Sequence, residues 1–467
     1  MKSTLPTIFL TVGRSMTARN LLQNDFYCQL REKYRLIILT PAFNDPRFIQ
    51  EFSHPNVVFK YFKDDSHTRA DIFFLGLHKY LLWSKFIALK LRYGTRALTK
   101  PEDLSFFRYG LFALIFLPLS KIIFLRDFVR WLDFYLGQKK RVNEFRILIK
   151  TEQPHLIIST SISSNIESAL LKAARREKVK TIGMPKSWDN LSRAGFRTKA
   201  DILVVWSQFM ADQAVLFQCY KREQIKIIGI LQFDGYRQKQ FLWSRDRFCN
   251  EFKLNPLHPI ILFTSEGKSI PEDADIALLL VQFMESGQLP NVSLLIRPHF
   301  SYRQDEKKFS ALIGRPKIII DQINLPSKGF KDHGDFSVRA MERFANSLAH
   351  AAIVVNVAST ITLDAVAFDK PVINVAFEPL INIPRNRQSL ASSYESDYYL
   401  EIVRTKGTWI VKSRAEFLDA LLGYLANPKL NAVGRERLRQ RFVGPLDGQA
   451  GQRFANLVTQ TIESLNL

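Results

Sequence analysis

Four short segments of the chain combine residue types that can handle a phosphorylated ligand. One runs Val355-Asn356-Val357-Ala358-Ser359-Thr360-Ile361-Thr362-Leu363-Asp364-Ala365 and continues into Lys370-Pro371-Val372-Ile373. An apolar run ends at Asn356, small residues turn the chain, and a helical pattern follows. Free N–H groups at such a helix start can hold a diphosphate. Asp364 falls one turn further on, where a carboxylate can accept hydrogen bonds from ribose hydroxyls. The same pattern also describes a plain strand–helix unit capped by Ser359 or Thr360. A second segment, Leu294-Leu295-Ile296-Arg297-Pro298-His299-Phe300, sets Arg297 and His299 at the end of an apolar run. Arginine suits two-pronged phosphate binding, and histidine can pass a proton or donate a hydrogen bond.

Pro185-Lys186-Ser187-Trp188-Asp189-Asn190-Leu191-Ser192-Arg193-Ala194-Gly195 is the third segment. Asp189 is the candidate base for an acceptor hydroxyl. Trp188 offers a ring for a sugar to stack on, and Asn190 adds an amide beside it. The fourth, Thr264-Ser265-Glu266-Gly267-Lys268, closes another apolar run. Ser265 and Lys268 are placed to meet phosphate, although the glycine spacing of a Walker A loop is missing. Gly13 and Arg14 follow the first apolar run and face the same kind of crevice.

These segments need a scaffold that brings strand ends together. Short apolar runs alternate with helical patterns almost throughout, which means parallel βαβ units. Strands are expected at 7–12, 35–40, 57–61, 155–160, 180–184, 201–206 and 226–230. A polar break with Asn255-Pro256-Leu257-His258-Pro259 follows. The rhythm then resumes, with strands at 260–264, 293–297, 317–321, 352–356, 371–377 and 408–411. Thr17–Lys33 reads as one helix. The fold class is therefore α/β, with two Rossmann-like, doubly wound domains and a cleft between them. The first spans 1–245, the second 256–445, and a C-terminal helix covers 446–467. Met1–Leu10 reads as a first core strand and not as a signal peptide.

The chain has 467 residues and a formal net charge of +22, from 66 basic and 44 acidic side chains. Such a balance calls for an anionic partner. From Gly76 to Lys150 there are 15 Lys and Arg against 5 Asp and Glu, together with 15 Phe, Tyr and Trp. This insert, about 76–150, interrupts the first domain. Tyr109–Leu119 is nearly all apolar but falls short of the ~20 residues a spanning helix needs. Beyond it, Ser120, Asp127, Arg130 and Asp133 form a narrow polar stripe, expected to face water. A helix packed on its own domain and a helix lying in a membrane surface both fit; Lys139-Lys140-Arg141 beside it favours an anionic membrane surface as partner. Nucleic acid ranks last among the partners, and none is expected, because the charge concentrates beside membrane-like aromatics and no nucleic-acid motif accompanies it. Three scattered cysteines, Cys28, Cys219 and Cys249, and eight histidines without a zinc spacing give no metal site and fit a reducing compartment.

The turn at Ser359-Thr360, Asp364 and the following Lys-Pro-Val-Ile resemble the donor-nucleotide segment of GT-B fold glycosyltransferases, and of the related CDP-glycerol glycerophosphotransferases and sugar-nucleotide 2-epimerases. Arg297-Pro298-His299 is similar to a basic-Pro-His segment of the glycerophosphotransferase-like branch, with Phe300 where that branch has a second proline. Ser187-Trp188-Asp189-Asn190 resembles a signature of predicted surface-carbohydrate glycosyltransferases. The resemblance implies that Ser359, Thr360, Asp364, Arg297, Ser265 and Lys268 hold the nucleotide and its diphosphate, with Asp364 standing where Glu is more usual. It implies that Asp189 and His299 carry the chemistry, and that Gly13, Arg14, Trp188 and Asn190 meet the acceptor. The expected activity is glycosyl transfer from a nucleotide-activated sugar donor, itself a substrate and no cofactor, to a lipid-linked or polysaccharide acceptor without metal. Transfer of a polyol phosphate from a CDP-polyol and sugar-nucleotide 2-epimerisation are the alternatives. The expected location is cytoplasmic, peripheral at the inner face of the cell membrane.

Overall fold

A computed structural model describes residues 5–62, 67–93, 105–300, 302, 304–321, 326–379 and 389–465. Thr7–Thr11 and Ile260–Thr264 are buried at every position. Strands this uniformly apolar must be covered on both faces, which is the situation of a parallel sheet between two helix layers. The first sheet contains β1 (Thr7–Thr11), β2 (Arg35–Thr40), β3 (Val57–Tyr61), β4 (Leu156–Ser159), β5 (Lys180–Gly183), β6 (Ile202–Val205) and β7 (Ile225–Ile227), in the order β3-β2-β1-β4-β5-β6-β7. The second contains β8 (Ile260–Thr264), β9 (Ser293–Arg297), β10 (Ile318–Ile320), β11 (Ile353–Asn356), β12 (Val372–Val375) and β13 (Trp409–Val411), in the order β10-β9-β8-β11-β12-β13. All pairings are parallel. Both sheets reverse direction once, between β1 and β4 and between β8 and β11. Crevices open at the carboxyl ends of the strands at those two points.

Each strand expected from the sequence is present, with ends shifted by no more than three residues. The helix expected over Thr17–Lys33 is instead two, Ser15–Leu22 and Asp25–Lys33. The Asn24 side chain accepts from Phe26 N at 3.1 Å and starts the second helix, the local competition with backbone bonding that asparagine favours. The helix Ala450–Glu463 returns to the first domain. Phe454 stacks on Phe26 with centroids 4.2 Å apart. Asp234 caps it, accepting from Ala450 N at 3.0 Å and Gly451 N at 2.7 Å. The second domain also reaches across, as Phe330 and Phe336 pack edge-on against Phe48.

Among the described residues between β3 and β4 there are five helices, Arg69–Leu82, Lys85–Tyr93, Ser105–Ser120, Ile123–Leu136 and Lys139–Glu152. Among the described residues no single helix is long and apolar enough to cross a membrane. The polar stripe of this insert does not face water as expected. Ser120, Arg130 and Asp133 are buried against the first domain, and only Asp127 is exposed. Asp133 receives Lys172 Nζ at 2.8 Å, Arg197 Nη2 at 2.6 Å, Arg197 Nε at 2.8 Å and His78 Nε2 at 3.1 Å. Arg130 donates to the carbonyls of Phe196 and Gln218, each at 3.0 Å. The apolar side chains had to go outward because the charged ones found buried partners. Burial alone would raise the Asp133 carboxyl, but bonds from Arg197 and His78 and the Lys172 charge hold it well below the usual carboxylate range.

Asp133→Ala should cost about 3–5 kcal/mol, since it leaves Arg197 and Lys172 buried without their counter-charge. Asp127→Ala removes a half-exposed partner of Arg130 and should cost under about 1 kcal/mol. Urea denaturation of the two variants checks the contrast, and equal losses would mean that the network does not anchor the insert.

Candidate functional site

The carboxyl ends of β5, β8 and β11 meet at the junction of the domains around a cavity of about 200 Å³. Asp189, Ser192 and Arg193 line it from the first domain, and Glu266, Ala358 and Thr360 from the second. The insert completes the wall with Phe86, Leu89 and Lys90. Asp189 is ion-paired with Arg193 one turn later and accepts from Asn190 Nδ2 at 3.1 Å. Thr360 opens the helix Ile361–Ala367 without a side-chain cap bond. Ala358 before it is held at φ 46°, a left-handed conformation that costs a non-glycine residue about 1–2 kcal/mol. Tyr394 Oη accepts from Ala358 N at 3.1 Å and donates to Val375 O at 2.8 Å, pinning the strained turn.

Glu266, which the sequence reading passed over between Ser265 and Lys268, is the most perturbed carboxyl of this wall. Burial pushes it up to about 8, so it is largely protonated at neutral pH. Its Oε1 is buried with no hydrogen-bond partner among the described residues. The signal available in the sequence was a carboxylate directly following a strand end.

A second group sits where the first helix of one domain faces the other domain. Arg19 is 7% exposed. Its Nε donates to Asn20 Oδ1 at 3.2 Å, and its terminal nitrogens have no hydrogen-bond or ion-pair partner among the described residues. The guanidinium lies over the rings of Phe300 and Phe344, at 5.3 and 5.6 Å. Arg297 also lies over Phe344, at 5.0 Å, and donates to Asp321 Oδ2 at 2.5 Å. Burial lowers both arginines from their usual value; Arg297 lowers Arg19 further, against Tyr236 and Asp364, while Arg343 lowers Arg297 against Asp321 and Tyr236. Asp364 is buried, and its Oδ1 accepts from Tyr236 Oη at 2.8 Å and Gln232 Nε2 at 2.9 Å. Burial pushes that carboxyl up to about 7.

A third space of about 390 Å³ lies past the ends of β1 and β4. Gly13, Arg14, Lys186 and Glu167 line it, with Lys331 from the second domain. The residues expected to form one site are thus spread over three neighbouring places. Asp189 and Thr360 share the first cavity, Arg297 and Asp364 share the arginine cluster, and Gly13 and Arg14 share the third space.

Several expected roles change. Trp188 is a core residue: its Nε1 donates to Phe442 O at 3.1 Å and its ring meets Trp206 edge-on at 4.7 Å, so no face is left for a sugar. Ser265 is spent internally, bonded to Asp305 and Asp273 at 2.6 and 3.1 Å. Asn190 is buried beside Asp189. Ser359 is buried too, with its Oγ accepting from Ile361 N at 3.4 Å. Asp364 is covered by Tyr236 and Gln232 rather than open to a ribose. His299 stacks on Tyr302 at 4.4 Å, and burial pushes its ring down to about 4, so it is neutral near pH 7. The Lys268 side chain lies outside the described residues. Among the described residues no group of three or more His, Cys, Asp or Glu is arranged to hold a metal ion.

No protein-family model matches the sequence, and no curated protein matches it. Solved structures do match over the whole length. One is the S. aureus MnaA–UDP complex, with a TM-score of 0.56 at 12% identity, covering 98% of this chain and 97% of that one. A glycosyltransferase from Rickettsia africae gives 0.51 at 12% identity over 98% and 99%. The wall teichoic acid polymerase TagF, in a structure with CDPG, gives 0.50 at 10% identity over 99% and 90%.

The raised Asp364 carboxyl makes a pH prediction. A carboxyl whose folded value lies near 7 instead of its ordinary value near 4 contributes stability that is present below about 4 and lost as pH rises through about 7. Asp364→Asn cannot ionise yet keeps an oxygen for Tyr236 and Gln232. Its melting temperature should gain on the wild type by a few degrees between pH 5 and pH 8. A constant difference across that range would show that Asp364 does not hold its proton. Two parallel sheets of this order, meeting at one cleft and matched end to end by such structures, give the chain the GT-B fold.

Proposed function

We propose that this chain is a GT-B sugar-nucleotide enzyme, and specifically a glycosyltransferase acting on a glycolipid or surface-polysaccharide acceptor. The observation that carries the reading is Arg19. A nearly buried guanidinium with free terminal nitrogens, next to Arg297 at a domain junction, is poised for an anion that bridges the two domains. A nucleoside diphosphate fits that demand, and its departure as a leaving group is the step such charge accelerates. In this reading catalysis needs no metal ion, because Arg19, which has no carboxylate partner among the described residues, supplies the positive charge beside the Asp321-paired Arg297. Among the neighbours in fold, one carries UDP and another CDPG, which supports a nucleotide donor here.

Glu266 and Asp189 line the same cavity, one largely protonated and one paired with Arg193. In this reading Asp189 takes the proton of an acceptor hydroxyl, and Glu266, which already holds its own proton, serves as the acid and hydrogen-bond donor. Two carboxyls whose environments set them apart are the usual mark of an acid–base pair.

A thermal-shift panel of UDP, CDP, GDP and CMP tests the donor site. One nucleotide should raise the melting temperature, and Arg19→Ala should remove that rise. Glu266→Gln should keep the rise while lowering transfer roughly 10²-fold or more. EDTA should leave transfer unchanged. No response to any nucleotide would sink the donor site, and a sugar nucleotide epimerised without any acceptor would replace transfer by epimerisation.

A further inference from the structure

The insert helix Ile123–Leu136 is built inside out. Its charged residues Arg126, Arg130 and Asp133 turn toward the domain. Arg126 donates to the carbonyls of Leu81, Ser120 and Phe217 at 3.1, 2.7 and 3.2 Å, which also fixes the corner with the preceding helix. Asp133 is 0% exposed, whereas Phe124 is 74% and Trp131 56% exposed. Phe124, Phe128, Trp131 and Tyr135 follow one another at spacings of four, three and four, so they share one helical face. Leu114 of the helix Ser105–Ser120 and Ile123 at the corner are 77% and 65% exposed. A water-soluble surface would show the opposite arrangement, with the charges outward.

We infer that this face seats the protein on an anionic lipid surface, with the two helices lying in the plane of the headgroups. The charge around the patch chooses lipid over a second copy of the chain. Lys121 at the corner and Lys139 and Lys140 at the start of the next helix are exposed beside it, and the whole chain carries +22. Two such chains would repel face to face, whereas phosphate headgroups attract lysine. Trp131 and Tyr135 are the residue types that settle at the boundary between headgroup and hydrocarbon. Neither helix spans the bilayer: at 1.5 Å per residue, 16 and 14 residues cover about 24 and 21 Å. The same insert lends Phe86, Leu89 and Lys90 to the interdomain cavity, so a seated insert would present that cavity near the lipid surface. The docking itself does not rest on the enzymatic reading.

The experiment is flotation of the full chain with phosphatidylglycerol vesicles and with phosphatidylcholine vesicles, neither containing substrate. The wild type should float with the first at low salt, at least tenfold less with the second, and much less at high salt. Leu114→Asp, Phe124→Asp and Trp131→Asp combined should stay at the bottom while melting at the wild-type temperature. Lys121→Glu with Lys139→Glu and Lys140→Glu leaves the apolar face intact and should lose only the preference for anionic vesicles. If the wild type fails to float at low salt, the inference is wrong. It is equally overturned if light scattering shows a dimer that the triple Asp variant breaks without any vesicle binding, since the face is then a contact between copies.

Discussion

A carboxylate taken out of water must be met by positive charge, and Asp133 meets that demand for the whole insert. Lys172 from the helix after β4 and Arg197 from the loop before β6 converge on it, so the insert is clamped to the first domain there, beside the bonds that Arg130 makes to Phe196 and Gln218. Arg197 also reaches Asp71 at 2.9 Å, tying in the first insert helix. The clamp is tight enough to dictate composition. A Cβ at Gly137 would lie 2.0 Å from Asp133 Oδ1, so only glycine lets the chain pass there. Once the polar side of Ile123–Leu136 is committed inward, its aromatic side has nowhere to go but out.

The same desolvation acts at the junction of the domains with the opposite result. There the carboxyls Glu266 and Asp364 are not matched by enough positive charge, and burial pushes them up to about 8 and 7. A neutral acid is a hydrogen-bond donor as well as an acceptor, so the walls of the cleft offer protons rather than negative charge. That leaves the buried arginines as the dominant field, and it is a field that favours an anion.

The fold was legible because parallel strands buried on both faces must be continuously apolar, and such runs as Ile260–Thr264 admit few other readings. The site was legible only by neighbourhood. Arg297 and Thr360 border the cleft, as strand-end residues of a doubly wound sheet should. Trp188 misled because a tryptophan in a polar turn looks free in one dimension, while its partners Trp206, on the next strand's end, and Phe442, 254 residues on, meet it only in the fold. Arg19 was missed for the converse reason. It sits mid-helix among ordinary residues, and only the packing of Phe300 and Phe344 around it makes it a buried charge. The polar stripe of the insert was seen correctly as a stripe, but periodicity gives a face and not the side it turns to; Lys172 and Arg197 decided that.

Insert and cleft are therefore two answers to one constraint. Where the chain supplies a full set of counter-charges, as at Asp133, the result is a rigid joint with nothing left to bind. Where the set is incomplete, as at Arg19 and Glu266, donors and acceptors remain for something that the chain does not itself provide. The helix Lys85–Tyr93 of the insert lines the cleft, and its Phe86 N donates to Asp397 of the second domain at 3.0 Å. The insert thus bonds to both domains, through Arg130 to the first and through Phe86 to the second.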